Sequence, residues 1–242
     1  GVCRYDGQGF KLFGNNEMIA SICNDKHGRI WYSSFSGLYC VDLASNTIKD
    51  FQNLIPGHYS ASFVLVSDYE GGIWMIVNRT LTRLDFQKGI ACSYALGSHA
   101  SPNRICCGTD GWPYVTADDG CVYIYDREED IFLPLRILAE EEIKAGKELE
   151  YLAFSPEGFA ISTTDNDVIL YNSENGTSKL VFGGNEDGRD AQVRCVEIDA
   201  DGCILVGTDK GLYSFFPDGK KQLTVHDSID FYSLSNDNVI CM

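Results

Sequence analysis

The chain has 242 residues, 44% of them hydrophobic and 12% aromatic, enough apolar material for one large β domain and inconsistent with a disordered tail. Acidic residues outnumber basic ones 35 to 19, a net charge of −16, which repels phosphate backbones and anionic lipid. Nucleic acid and direct membrane contact are therefore excluded as expectations for this segment, and no apolar run reaches the roughly 18 residues that span a bilayer.

In chain order, residues 1–14 read as two short strands, the second of them Gly9-Phe-Lys-Leu-Phe13. A phrase then opens at Asp25-Lys-His-Gly28-Arg-Ile-Trp31 and closes at Gly37-Leu38-Tyr39-Cys-Val-Asp42. It returns as Asp68-Tyr-Glu-Gly71-Gly-Ile-Trp74 through Leu81 to Asp85, with weaker copies around Gly111, Gly158 and Gly202. Those glycines are 43, 40, 47 and 44 residues apart. Such a period marks one supersecondary unit copied along the chain. Each copy reads as four short strands: an apolar first, a D-x-x-G or D-G turn, a second with a large residue three after the glycine, an alternating third and a short fourth. Four strands at this period predict an all-β propeller of four-stranded blades.

The full repeats cover about 18–52, 61–94, 102–135, 148–182 and 192–225, flanked by partial blades at 1–14 and 231–242. Gly1–Asp6 matches Gly37–Asp42, and Asn238–Met242 matches the opening strand of a unit. Both ends thus fall within a blade, and the chain is expected to be a piece of a larger, about seven-bladed propeller. The stretch 137–150 fills the longest gap and is expected to be an inserted loop with one or two helical turns.

Prominent residues belong mainly to the repeat. Asp25 and Asp68 are expected to cap hairpin turns, and Trp31 and Trp74, at one repeat position, to lie in the core. Trp112, off the pattern, is the tryptophan open to exposure. Asp199-Ala-Asp201-Gly202 and Asp165-Asn-Asp167 resemble calcium loops faintly but lack further oxygen ligands, so turn chemistry is expected there. The ten cysteines include no C-x-x-C, and most fall in strands as small hydrophobes; no metal and no cofactor are expected.

The repeat resembles the regulator-propeller pattern I-x-x-I-x-x-D-x-x-G-x-[IL]-W-[IV]-G-T-x-x-G-L-x-x-[FY]-D. Ile19–Asp42 matches it well, Val193–Phe216 nearly as closely, the second copy has Thr80 for the later glycine, and the third and fourth are degenerate. The resemblance implies a periplasmic sensor region of a bacterial hybrid two-component protein anchored in the inner membrane. It implies an oligosaccharide as ligand, neighbouring propeller and sensor domains as partners, and transcription regulation as output. Homodimerisation is an open assembly.

No catalytic residue is assigned. Propeller enzymes use inward carboxylates or a histidine, and Glu197 is the clearest acidic group on a predicted inner strand. A carbohydrate-active propeller enzyme and a protein-interaction scaffold remain the alternatives. In a propeller, the loops entering each first strand and those joining second to third strands open on one face. The ligand-binding candidates are the loop residues of that face: Phe35, His58, Tyr59, Arg79, His99, Asp118, Asp190 and Lys210. His27, inside a hairpin turn, is expected to be solvated, and His226 follows the last fourth strand.

Overall fold

The computed structural model describes residues 1–5, 7–14, 17–55, 64–86, 88–97, 99–185, 188, 190–230 and 233–240. Strands β1 (Val2–Tyr5) and β2 (Phe10–Phe13) form a two-stranded ribbon. The first complete sheet is β3 (Ile19–Asn24), β4 (Ile30–Ser34), β5 (Gly37–Asp42) and β6 (Thr47–Asp50), and the second is β7 (Leu65–Ser67), β8 (Ile73–Val77), β9 (Thr80–Asp85) and β10 (Ile90–Tyr94). The third comprises β11 (Pro102–Cys107), β12 (Pro113–Ala117), β13 (Cys121–Asp126) and β14 (Ile131–Arg136). After the helix α1 (Glu140–Lys144) come β15 (Leu149–Ser155), β16 (Gly158–Thr163), β17 (Val168–Asn172) and β18 (Thr177–Phe182). The last sheet is β19 (Val193–Ile198), β20 (Ile204–Thr208), β21 (Gly211–Phe215) and β22 (Lys221–Thr224). Every four-stranded sheet is a meander, the strand order of a propeller blade, and the fold is the all-β propeller that the repeat predicts.

The chain forms two compact units, one of residues 1–117 with 123–135 and one of 118–122 with 136–242. In the first, Trp31, Leu38 and Cys40 from one sheet pack with Leu65, Ile73, Met75 and Leu84 from the next. On the other face of the first sheet, Tyr32 and Val41 pack with Phe13. In the second unit, Ala153, Ala160, Val168 and Phe182 pack with Val196, Val206 and Tyr213.

The turn aspartates explain why the repeat has its spelling. Asp25 and Asp68 are both buried. Asp25 Oδ1 accepts the backbone N–H of His27 and Arg29, at 2.9 and 3.1 Å, and Oδ2 accepts the Trp31 indole N–H at 2.8 Å. Asp68 does the same for Glu70, Gly72 and Trp74, at 2.9, 2.7 and 2.8 Å. Each buried carboxylate also has a cation. In the first repeat Arg29 Nε lies 2.6 Å from Asp25 Oδ2. In the second, Gly72 occupies the position of Arg29 and Arg83 reaches over from β9, its guanidinium 2.8 Å from Asp68 Oδ2. A Cβ on Gly72 would lie 2.5 Å from Arg83 Nε, so the glycine makes room for the substitute cation.

In the third turn, of the D-G kind, the backbone bonds place Gly108 in the position of Asp25, and Asp110 accepts the Trp112 N–H at 3.0 Å and the Tyr114 hydroxyl at 3.3 Å. Two expectations are corrected. In the fourth copy Gly158, expected in the turn, is paired with Ser155 as a strand residue, because the hairpin has shrunk to Pro156 and Glu157. Cys3 and Cys92 are exposed, whereas Cys40, Cys121 and Cys203 are buried as expected. Cys3 sits on the ribbon face with Tyr5, Phe10 and Leu12, which are 60–78% exposed. Cys241 and Met242 lie outside the described residues.

Trp112 is half-buried against Tyr125, with ring centres 5.7 Å apart. The insert is helical over one short segment, α1, and is pinned by Lys147, whose ammonium lies 2.8 Å from Asp167 and 3.3 Å from Glu142. That ion cluster, and the Asp199 carboxylate accepting Asp201 and Cys203 N–H groups, give the two calcium-like sequences ordinary structural roles.

Burial works to raise the Asp25 pKa, but hydrogen bonds from Trp31 and Arg29 and the Arg29 charge outweigh it, so the carboxyl lies below its ordinary value. A depressed native pKa contributes stability in full above the unfolded value near ~3.9, lost as pH falls through the native one. Asp25→Asn is expected to cost about 1–3 kcal/mol near neutral pH. Urea melts across pH should show the gap to the unsubstituted chain closing below about pH 4; a gap constant into strong acid would contradict the clamp.

Candidate functional site

A pocket of about 210 Å³ opens in the first unit, lined by Gly14, Glu17, Ile19, Tyr32, Tyr39 and Ile48. Its position follows from the pleat. Side chains alternate along β4, so Trp31 enters the core with the second sheet while Tyr32 turns to the opposite face. Register pairs Tyr32 with Tyr39 across β4 and β5, and their rings stack with centres 5.1 Å apart at 18°. Gly14 and Glu17, which precede β3, line the same pocket.

Glu17 is the polar centre. Its Oε2 accepts the Ser34 hydroxyl at 2.8 Å and also that of Ser36. Because the single Ser36 proton goes to the carboxylate, the Tyr39 hydroxyl, 2.8 Å away, is the donor to Ser36. The hairpin joining β4 to β5 thus delivers hydroxyls in series to one carboxylate. Gly14 has φ +77°, and a Cβ there would lie 2.5 Å from the Tyr32 hydroxyl oxygen, so the chain passes close over that hydroxyl only because the residue is glycine.

Phe35, at the tip of the same hairpin, is 55% exposed beside this network without lining the pocket. Arg79 tops the hairpin between β8 and β9 with φ +60°, and His99 is exposed in the turn closed by the Leu96–Ala100 bridge. His58 and Tyr59 lie outside the described residues. Asp118, Asp190 and Lys210 belong to the second unit. Gln192 and Asp209 exchange two hydrogen bonds that tie the loop of Asp190 to that of Lys210, and the Lys210 ammonium lies 3.2 Å from Asp209. The hairpin positions are therefore as the repeat predicts. Glu17, Ser34, Ser36 and the two tyrosines were not singled out by the sequence. The available signal was Glu17 itself, a carboxylate in an entry loop of the kind that holds His58 and His99.

Reactive groups are few. Burial first, then nearby acidic groups, pushes the Cys23 and Cys107 thiols up to about 12, and the first-sheet Cys40 thiol also to about 12, so none is a thiolate at neutral pH. Glu197 is exposed on β19. Among the described residues no group of three or more His, Cys, Asp or Glu side chains is arranged to hold a metal.

The Tyr32 hydroxyl is raised above its ordinary value, by burial first and then by Tyr39, Glu17 and Asp50. Glu17→Gln removes one negative charge and keeps an acceptor. Tyr32 is then expected to titrate lower than in the unsubstituted chain but above the ordinary value near ~10, because burial remains. Carbon NMR of the tyrosine ring checks this, and an unmoved Tyr32 would count against the assigned coupling.

No family model and no curated protein matches the chain. Solved structures do. The extracellular domain of BT4673 from B. thetaiotaomicron, described as a one component system, superposes with a TM-score of 0.74 at 16% identity over 99% of this chain and 32% of that one. The extracellular domain of BT3049 from B. thetaiotaomicron, described as a hybrid two component system, gives 0.65 at 15% identity over 96% and 38%. Virginiamycin B lyase from Staphylococcus aureus gives 0.65 at 12% identity over 87% and 71%. The chain spans about a third of the length of the two extracellular domains it matches. What this chain shares with all three is the β-propeller fold.

Proposed function

We propose that this chain is a ligand-sensing propeller segment of an extracytoplasmic signalling protein of the hybrid two-component kind, responding to an oligosaccharide. Its fold likeness to extracellular domains of that kind supports the reading. So does the repeat spelling at Ile19–Asp42. The observation that carries it is the pocket at Glu17, whose hydroxyls are committed in series to one carboxylate. Such a network suits recognition rather than bond cleavage, which needs an acid and a base poised on a reacting atom.

Signalling would require that ligand bind one arrangement of the parent protein better than another, since equal affinity shifts nothing. The neighbouring domains of the parent, or a second copy of the chain, would be the parts that respond. Among the described residues no helix is long and apolar enough to cross a membrane, and anchoring is assigned to the parent protein. The likeness to a lyase propeller favours one second reading, a propeller enzyme. The loop residues Phe35, His58, Tyr59, Arg79, His99, Asp118, Asp190 and Lys210 are each proposed as ligand contacts.

Calorimetric titration with a panel of oligosaccharides, followed by chromatography of the recovered sugars, tests this. Saturable binding with the sugar recovered intact is expected. Conversion of the sugar would overturn the sensor reading in favour of the enzyme, and binding to no member of the panel would remove the oligosaccharide.

A further inference from the structure

The hairpin joining β17 to β18 carries a chemistry spelled nowhere else in the chain. Asn175 is its only asparagine followed by a glycine. Strand register pairs Asn172 with Thr177, so residues 173–176 form the tip, and all of them are exposed. The Gly176 N–H closes the tip on the Asn172 carbonyl at 3.0 Å, with Gly176 at φ +66°. A tip with so little buried surface to lose is among the first places where a fold opens.

The Asn175 side chain is held by its own neighbours. Its Oδ1 accepts the Thr177 backbone N–H at 3.0 Å and the Thr177 hydroxyl at 2.6 Å. That turn folds the carboxamide back along the main chain, because the ring it closes contains the peptide nitrogen of Gly176. Both bonds lie within three consecutive residues, so they persist when the longer bond from Gly176 to Asn172 opens. The Asn175 Cγ is then kept near a backbone nitrogen that carries no side chain beside it.

Asn172 supplies an internal comparison. It makes the same kind of turn, its Oδ1 accepting the Glu174 N–H at 3.0 Å. Its successor is Ser173, whose side chain hinders the approach of the following nitrogen. The two asparagines therefore differ mainly in the residue that would have to attack.

We infer that Asn175 is a modification site, at which the chain deamidates itself through a succinimide. The Gly176 nitrogen gives its proton to solvent and forms a bond to Asn175 Cγ. Negative charge gathers on Oδ1, where the two Thr177 donors stabilise it. The bond from Cγ to Nδ2 then breaks, and the nitrogen leaves as ammonia after taking a proton from water. Water opens the ring at one carbonyl or the other, leaving aspartate or isoaspartate. Water is the only co-reactant, and neither oxidant nor reductant is involved. The product adds one negative charge to the net −16, and isoaspartate lengthens the main chain by one methylene in the tip that joins β17 to β18. The inference is independent of any ligand.

The test incubates the folded full chain at mildly alkaline pH and follows each asparagine by peptide mapping with mass spectrometry and isoaspartate-specific labelling. Asn175 is expected to deamidate at least tenfold faster than Asn172 and to give isoaspartate together with aspartate. Thr177→Val, which removes the hydroxyl and keeps the branched shape and the N–H, is expected to slow Asn175 at least threefold. Gly176→Ala is expected to slow it at least tenfold, with circular dichroism to show that both variants are folded. If Asn172 reacts as fast as Asn175, or if Asn175 yields aspartate without isoaspartate, the succinimide site is wrong. If Thr177→Val leaves the rate unchanged, the assigned part of the Thr177 donors is overturned, a result that does not depend on how the glycine variant folds.

Discussion

A buried carboxylate in a hairpin turn is the interaction on which the best-formed sheets depend. Asp25 and Asp68 are taken out of water, and a charge in that position is tolerated only when hydrogen bonds and an opposite charge replace the lost hydration. Each meets that demand with two backbone amides, one indole and one guanidinium. The arrangement joins turn, second strand and core in one unit. The tryptophan is oriented by its N–H, and its ring then packs against aromatic rings of its own sheet's surroundings and of the next, Phe51 and Phe86 for Trp31, and Tyr94, Tyr125 and Phe132 for Trp74. Truncating such a buried ring typically costs about 3–5 kcal/mol, so the orientation matters to the whole unit.

The clamp also fixes where ligand chemistry can lie. With Trp31 locked to one face of β4, the pleat sends Tyr32 to the other, and pairing with β5 brings Tyr39 onto it. The pocket floor is thereby made of residues adjacent to the turn clamp of the repeat, while Gly14 and Glu17 come from connecting chain. Rigid scaffold beneath and variable loop above is the arrangement in which a repeat protein acquires a specific site without altering its core. Glu17 and Gly14 belong to no repeat rule. They matter because one carries charge and the other carries no side chain.

Legibility in the sequence followed periodicity. Strand count, strand order and the structural roles of Asp25, Asp68, Trp31 and Trp74 could be read because they recur, and each recurrence is a separate statement of one physical requirement. Where the requirement is met by different residues, reading failed. Asp110 caps its turn from a position two residues after that of Asp25, which Gly108 holds. Arg29 and Arg83 do the same work from a turn and from a third strand, 54 residues apart in the chain, so alignment of the copies does not equate them. Cys3 occupies a strand position that repeat logic would bury, yet no side chain of the described residues covers that face of the ribbon enough to hide it.

By itself the sequence determined the architecture, because a period near forty residues with alternating strands and glycine turns admits few folds, and because turn and core residues are dictated by local geometry. The tertiary structure alone decided which residues form the pocket. Glu17, Ser34, Ser36, Tyr32 and Tyr39 come from an entry segment, a hairpin and two strands, and their union depends on strand register and on which face each side chain takes. Hydrogen bonding between groups so placed is a property of distance in space, which spacing along the chain does not carry.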